Sequence, residues 1–229
     1  MKISIVIPVY NVGDKIRYVI ENIPKIENYE VIIVNDGSTD ELTLKTLQEL
    51  TKQYKDKVQV INHERNCGKG CAMRTGFQNS TGSIIVFIDG DGQHNPKEIP
   101  KLIEPILNDE VDFVIGLREI IREGERPLIR KLSNHLSSLL IRLLYNVDIK
   151  DSQSGFRAIR RNYIREIDND RYSVETEMLL KAIKCGARIK EVPVERIYNN
   201  ASSHFRFSDI IDFIKTIIRY RSYLCEFKY

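Results

Sequence analysis

Two aspartates, Asp89 and Asp91, stand one residue apart at the end of the apolar run Ile84 to Ile88, within the stretch FIDGDGQH. Carboxylate oxygens at this spacing suit a hard divalent cation such as Mg²⁺ or Mn²⁺, which keeps several waters and shares its remaining positions with phosphate oxygens. An acidic pair in a surface turn would mean little, because Asp and Gly are ordinary turn formers. What makes this pair informative is its place directly after a strand greasy enough to be buried.

Polar clusters of the same kind follow other apolar runs: PVYN (Pro8 to Asn11), NDGSTD (Asn35 to Asp40) and NHERNCGKG (Asn62 to Gly70). The β-branched runs 3–9, 31–34, 58–61, 84–88 and 111–115 predict strands, and the segments 15–23, 42–54, 70–79 and 97–107 predict helices. Nearly continuous apolar strands alternating with helices predict a mostly parallel sheet covered on both faces. Such sheets take ligands at the carboxyl ends of their strands. Turn chemistry alone explains any one of the four loops; their convergence on one crevice points to a site. The run 189–194, with Pro193 inside it, reads as an edge strand.

Several chemistries are excluded. No G-x-G-x-x-G follows the first strand, and NCGKGCA lacks the spacer of a P-loop. No G-x-S-x-G elbow surrounds Ser154, which argues against a hydrolase. His63, His94, His135 and His204 are scattered, so no zinc site is indicated. Cys67, Cys71, Cys185 and Cys225 form no C-x-x-C pair and read as free thiols of a reduced, cytosolic chain. Thirty-five basic against 32 acidic residues leave +3, too weak a balance to imply nucleic acid. A strand pattern opens the chain without a signal-peptide core, and no run of ~18 apolar residues occurs.

Two stretches are strongly amphipathic. Residues 128–145 place Leu128, Ile129, Leu132, Leu136, Leu139, Leu140, Leu143 and Leu144 on one helical face, and 208–224 do the same with Ile210, Phe213, Ile214, Ile217 and Ile218. Most such helices face their own core; with basic flanks, these would also suit an anionic membrane surface.

VIPVYN, VNDGSTD, the Asn66 to Phe77 stretch NCGKGCAMRTGF, DGDGQHNP and DSQSGFR (Asp151 to Arg157) together resemble family 2 glycosyltransferases. Within that family the chain is similar to the polyprenyl-phosphate sugar transferases, dolichyl-phosphate mannose synthase above all, with looser similarity onward through EVPVERIYNNASSHF. The resemblance implies the α/β GT-A fold, a mostly parallel central sheet flanked by helices. It also implies one catalytic domain over 1–229, in which 1–116 bind the nucleotide sugar, 117–157 form an acceptor-side insertion and 158–229 complete the sheet.

The implied reaction is an inverting, metal-dependent transfer from a nucleotide sugar, expected to be GDP-mannose, to a polyprenyl (dolichyl) phosphate. Asp89, Asp91 and Gln93 would hold Mg²⁺ or Mn²⁺ and the diphosphate. Pro8, Tyr10, Asn11 and Asp36 would hold the base and ribose, Lys69 would lie near the nucleotide sugar, and Arg206 would reach the donor diphosphate. Arg118, Arg130 and Ser133 would grip the acceptor phosphate, so that Asp89, Asp91 and Arg130 carry the catalysis. The glycines beside the aspartates would let the donor lie close to the backbone. Where relatives carry glutamate after YN this chain has Val12, and the first aspartate of their DDGS is Asn35 here.

Elementary chemistry supports that reaction. A nucleoside diphosphate leaves readily only when its growing charge is neutralised. A lipid phosphate is already anionic and needs arginine forks, from Arg130, Arg118 or Arg126, rather than a base. A saccharide or protein hydroxyl would need a base, for which Asp151 and Glu175 are the candidates, although a turn or capping role serves Asp151 equally well. The alternatives are transfer from a UDP-sugar to such a hydroxyl, and a non-catalytic nucleotide-sugar-binding protein. The lipid reading places the enzyme peripherally at the cytoplasmic face of a membrane, alone, as a homodimer or beside a membrane-anchoring partner.

Overall fold

The computed structural model describes residues 1–118, 128–164, 166–170, 173–195, 197 and 215–220, with the backbone alone for 128–136. The chain runs β1 (Ile3–Val9), α1 (Lys15–Glu21), β2 (Tyr29–Asn35), α2 (Glu41–Gln53), β3 (Val58–Asn62), α3 (Lys69–Gln78), β4 (Ile84–Phe87), α4 (Ile99–Leu107), β5 (Phe113–Arg118), α5 (Leu128–Tyr145), β6 (Arg157–Arg160), α6 (Val174–Lys184) and β7 (Ile189–Val194). One sheet holds all the strands in the order β3-β2-β1-β4-β6-β5-β7.

The inner strands are apolar throughout because both of their faces are covered. Along β1, Ile3, Ile5, Ile7 and Val9 join one core layer while Val6 joins the other, and β4 divides in the same way between Ile84 and Val86 on one side and Ile85 and Phe87 on the other. Helices α1, α2 and α4 cover the first face with Ile16, Leu50 and Leu102 among others. The second face takes Met73 and Phe77 of α3, Ile141 of α5 and Met178 and Leu179 of α6. The expected mostly parallel sheet is therefore present, with β7 at its edge.

Strand β6 is the exception, antiparallel to both neighbours. The apolar pattern does not mark it, because two of its four residues are arginines. Its direction matters. Val9, Asn35 and Asn62 lie side by side at the carboxyl edge, and Arg157, which begins β6, pairs with Phe87 and Ile115 there. The loop before β6, rather than one after it, thus enters the crevice.

The sequence left the leucine face of α5 either against the core or at a surface, and it read all four cysteines as free thiols. The face of α5 turned to the core carries Ser137 and Ile141, whereas Leu139, Leu143 and Leu144 point outward, Leu143 being 71% exposed. Ile218 is likewise exposed, while 208–214, 221–224 and Arg126 lie outside the described residues. Cys67 and Cys71 are free thiols as expected, but Cys185 is disulfide-bonded. Among the described residues no helix is long and apolar enough to cross a membrane.

At the amino edge of the sheet, Glu30 accepts hydrogen bonds from Lys2 Nζ, Ser4 Oγ and the Thr81 amide, each at 2.6 Å. Burial works to raise its pKa, but these donors more than offset that and bring it down to about 2. A depressed carboxyl contributes stability that is present above its unfolded pKa and lost as pH falls through the folded one. Glu30→Gln should accordingly cost about 1–3 kcal/mol at neutral pH. In urea unfolding series, the gap from wild type should narrow steadily below an unfolded value of about 4.3.

Candidate active site

Lys69, the first residue of α3, places its ammonium 2.6 Å from Asp89 Oδ1 and 2.7 Å from Glu175 Oε1. Three elements meet at this nitrogen: the end of β4, the start of α3 and the start of α6. Burial would lower the lysine's pKa, but the two carboxylates hold it above its ordinary value. Burial likewise opposes ionisation of Asp89, yet Lys69, with His94 and Arg118 further out, holds that carboxyl below the usual range. A Cβ on Gly155 would stand 2.5 Å from Asp89 Oδ2 and 2.9 Å from Lys69 Nζ, which explains the glycine of DSQSGFR.

Asp91 differs from its neighbour. Burial and the adjacent Asp89 carboxylate push its pKa up, and its Oδ1 accepts the Gln93 amide at 3.0 Å. Four carboxylates, of Asp89, Asp91, Asp151 and Glu175, meet three cations here, of Lys69, Arg118 and Arg157, which leaves one negative charge in excess. Ser154 Oγ, buried without a hydrogen-bond partner, lies beside Gly155. Oxygen donors and a deficit of positive charge fit a hard divalent cation. A Cβ on Gly90 would meet Val9 Cγ2 at 2.7 Å, so the glycine between the aspartates lets the loop lie on β1. The Ile197 amide donates to Gln93 O at 2.9 Å, bringing the segment after β7 to the same loop.

The neighbouring wall is built by Asp36. Its Oδ1 accepts the Cys67 amide at 2.9 Å and lies 2.7 Å from His63 Nδ1, and its Oδ2 accepts the Gly68 amide at 2.8 Å. Asp36 is buried and clamps the loop that leads to Lys69. Asn11, at φ 49°, accepts the Thr39 amide at 2.9 Å and so joins the first two strand ends. Pro8 is the last residue but one of β1, and Tyr10, just beyond the strand, is 46% exposed.

On the far side Arg118 grips Asp151 through Nε and Nη2, both at 2.6 Å. Beneath them Arg157, fully buried, donates to the carbonyls of Ser154 at 2.9 Å, Glu175 at 2.7 Å and Ser152 at 3.3 Å. Burial pushes its pKa down to about 10. The hydroxyls of Ser137 and Ser152 meet at 2.9 Å, tying α5 to the same loop. Arg130 and Ser133 lie in the first turns of α5, where the backbone alone is described, and Arg206 lies outside the described residues. Arg157 has no place among the expected site residues, although a charge inside the buried strand FRAI is the signal that marks it.

This sheet order and crevice define the GT-A fold. The crystal structure of glucosyl-3-phosphoglycerate synthase from Mycobacterium tuberculosis, in complex with Mn²⁺, UDP and glucosyl-3-phosphoglycerate, matches with a TM-score of 0.73 at 21% identity, over 98% of this chain and 81% of that one. The chain belongs to glycosyl transferase family 2, matched over residues 4–168, and is a glycosyltransferase. It is 35% identical over 222 residues to the UDP-N-acetylglucosamine–dolichyl-phosphate N-acetylglucosaminyltransferase of Methanococcus voltae, over 87% of each chain. To the dolichol-phosphate mannosyltransferase of Pyrococcus furiosus it is 32% identical over 230 residues, covering 96% of this chain and 63% of that one.

Removing the ammonium while leaving the carboxylates isolates its structural share. Lys69→Met should lower stability by about 3–5 kcal/mol at pH 7, the cost of stranding buried charge. Without Lys69 the burial that opposes ionisation of Asp89 is less offset and its carboxyl pKa rises, so the loss should shrink as pH falls and that carboxyl takes up a proton. Denaturant midpoints at pH 7 and pH 5 check this, and a loss that is independent of pH would contradict it.

Proposed function

We propose that this glycosyltransferase moves a hexose, mannose from GDP-mannose being the first expectation, onto the phosphate of a polyprenyl lipid of the dolichyl type, with inversion at the sugar carbon. The observation that carries the acceptor is the state of the two carboxylates that could activate a hydroxyl. Asp151 is engaged by Arg118 through both oxygens, and Glu175 is paired with Lys69. An anionic phosphate oxygen needs no base. The names of the Methanococcus and Pyrococcus relatives, both specifying dolichyl or dolichol phosphate, support the same acceptor class. The former also makes UDP-N-acetylglucosamine the second donor to test.

In this reading the whole chain acts as one catalytic domain, with 1–116 on the donor side, 117–157 on the acceptor side and 158–229 completing the sheet. The base and ribose lie against Pro8, Tyr10 and Asn11, over the wall that Asp36 holds in place. Asp89, Asp91 and Gln93 would hold Mg²⁺ or Mn²⁺, which supplies positive charge to the leaving diphosphate. Lys69 and Arg206 add fixed positive charge on that side. Arg130 and Ser133, joined by Arg118 once it turns from Asp151, take the acceptor phosphate, where guanidinium forks match its oxygens. One phosphate oxygen attacks the anomeric carbon from the face opposite the diphosphate. The new carbon–oxygen bond forms as the old one breaks, and the electron pair leaves with the nucleoside diphosphate.

The outward leucines of α5, with Ile218, supply a surface for a monolayer interface at the cytoplasmic face of a membrane. A second copy or a membrane-anchored partner could cover the same residues.

Two measurements test this reading. Purified protein with Mn²⁺ or Mg²⁺, radiolabelled GDP-mannose or UDP-N-acetylglucosamine and a polyprenyl phosphate should place label in the organic phase from one donor, with Asp91→Ala reducing the rate by about 10²-fold or more. Metal-dependent hydrolysis of a donor without lipid labelling would overturn the acceptor. Flotation should show the chain on anionic vesicles, with Leu143→Asp and Leu144→Asp releasing it; a dimer that ignores vesicles would instead assign the leucines to a second copy.

A further inference from the structure

His63, Cys67 and Cys71 converge although the sequence gives no standard metal motif. One ligand atom from each lies within 4.8 Å of the others. They come from the end of β3, the following loop and the first turn of α3, so the fold rather than a local C-x-x-C hairpin assembles them. Cys67 and Cys71 are free thiols.

The surroundings are those of a metal-binding imidazole. Ligating histidines commonly donate their second ring nitrogen to a carboxylate, which fixes the ring, and here His63 Nδ1 lies 2.7 Å from Asp36 Oδ1. The opposite nitrogen, Nε2, meets only the neutral Thr75 hydroxyl at 2.9 Å, a partner it can exchange for a cation. Asp36 also accepts the Cys67 and Gly68 amides at 2.9 and 2.8 Å, so one buried carboxylate orients both the ring and the thiol-bearing loop. Cys67 is exposed at the mouth, which leaves an entry path, and its Sγ meets only the Arg65 carbonyl at 3.3 Å, a partner it can exchange for a cation.

We propose that His63, Cys67 and Cys71 bind one thiophilic divalent cation of the Zn²⁺ class, at a site separate from the carboxylate pair. Two sulfurs and an imidazole nitrogen select Zn²⁺, Co²⁺ or Cd²⁺ over Mg²⁺ and Mn²⁺, which prefer oxygen. A tetrahedral site with Zn–S about 2.3 Å and Zn–N about 2.0 Å needs its ligands a little under about 4 Å apart. Starting from separations within 4.8 Å, this requires a contraction of at most roughly an ångström, shared among side-chain rotations of the three ligands. Three protein ligands leave the fourth position to water or another small ligand. A cation here would lock residues 63–71, the loop that ends in Lys69.

The test uses the full-length, reduced, metal-free chain and Co²⁺ as probe. Titration should produce thiolate-to-cobalt charge-transfer absorption and tetrahedral d–d bands that saturate at one Co²⁺ per chain and are bleached by one equivalent of Zn²⁺. Cys67→Ser and Cys71→Ser should each abolish the charge-transfer intensity expected for two thiolates and weaken Zn²⁺ binding by at least tenfold in competition with a chromophoric chelator. Asp91→Ala should leave both readouts unchanged. Circular dichroism confirms that the exposed Cys67→Ser variant is folded. Absence of a thiolate band in the wild type, its full persistence in both cysteine variants, or its loss in Asp91→Ala would each overturn the assignment.

Discussion

Carboxylates from separate loops cannot share a secluded crevice unless positive charge sits among them, and Lys69 is that charge. Desolvating each ion costs several kcal/mol, which close pairing must offset. The ammonium between Asp89 and Glu175 therefore fixes where β4 ends, how α3 begins and where α6 starts. Other features follow from it. Residue 155 must be glycine to leave room for the pair, and Arg157 must hold the carbonyls of Ser152, Ser154 and Glu175 so that the loop before β6 and the first turn of α6 keep their places. Asp91 stays outside the pairing, and burial together with the neighbouring Asp89 carboxylate raises its pKa.

The topology divides the crevice between two tasks. The carboxyl ends of β1, β2, β3 and β4 line one side and carry Pro8, Tyr10, Asn11, Asp36 and the two aspartates. β5 and the antiparallel β6 line the other, where Arg118 ends its strand and Asp151 precedes the next. A wholly parallel sheet would send the DSQSGFR loop to the opposite edge. Reversal of one short strand thus brings Gly155 against Asp89 and gives the second side of the crevice its own charged residues.

Helix α5 shows the limit of reading faces from periodicity. A stripe of leucines at helical spacing establishes an apolar face but says nothing of what covers it. Here the core takes the stripe marked by Ser137 and Ile141, the hydroxyl being satisfied by Ser152. Leu139, Leu143 and Leu144 are left outward. Two clusters of unlike chemistry also lie on one loop: oxygen ligands meet Lys69 at its end, while His63, Cys67 and Cys71 gather around Asp36.

The amino-acid sequence by itself determined the α/β class, the boundaries of β1 and β7, the extent of α5 and the convergence of four strand ends, because period-two and period-3.6 burial are local patterns and turn residues mark where they stop. It also determined the family, through motifs at those ends. Only the tertiary structure decided that β6 runs backward, that Lys69 pairs with Glu175, that Arg118 closes on Asp151, and that a histidine and two cysteines meet. Each of these depends on residues distant in sequence. A charged side chain has no partner in a one-dimensional pattern; it acquires one when burial removes water and makes an unpaired charge too costly to keep.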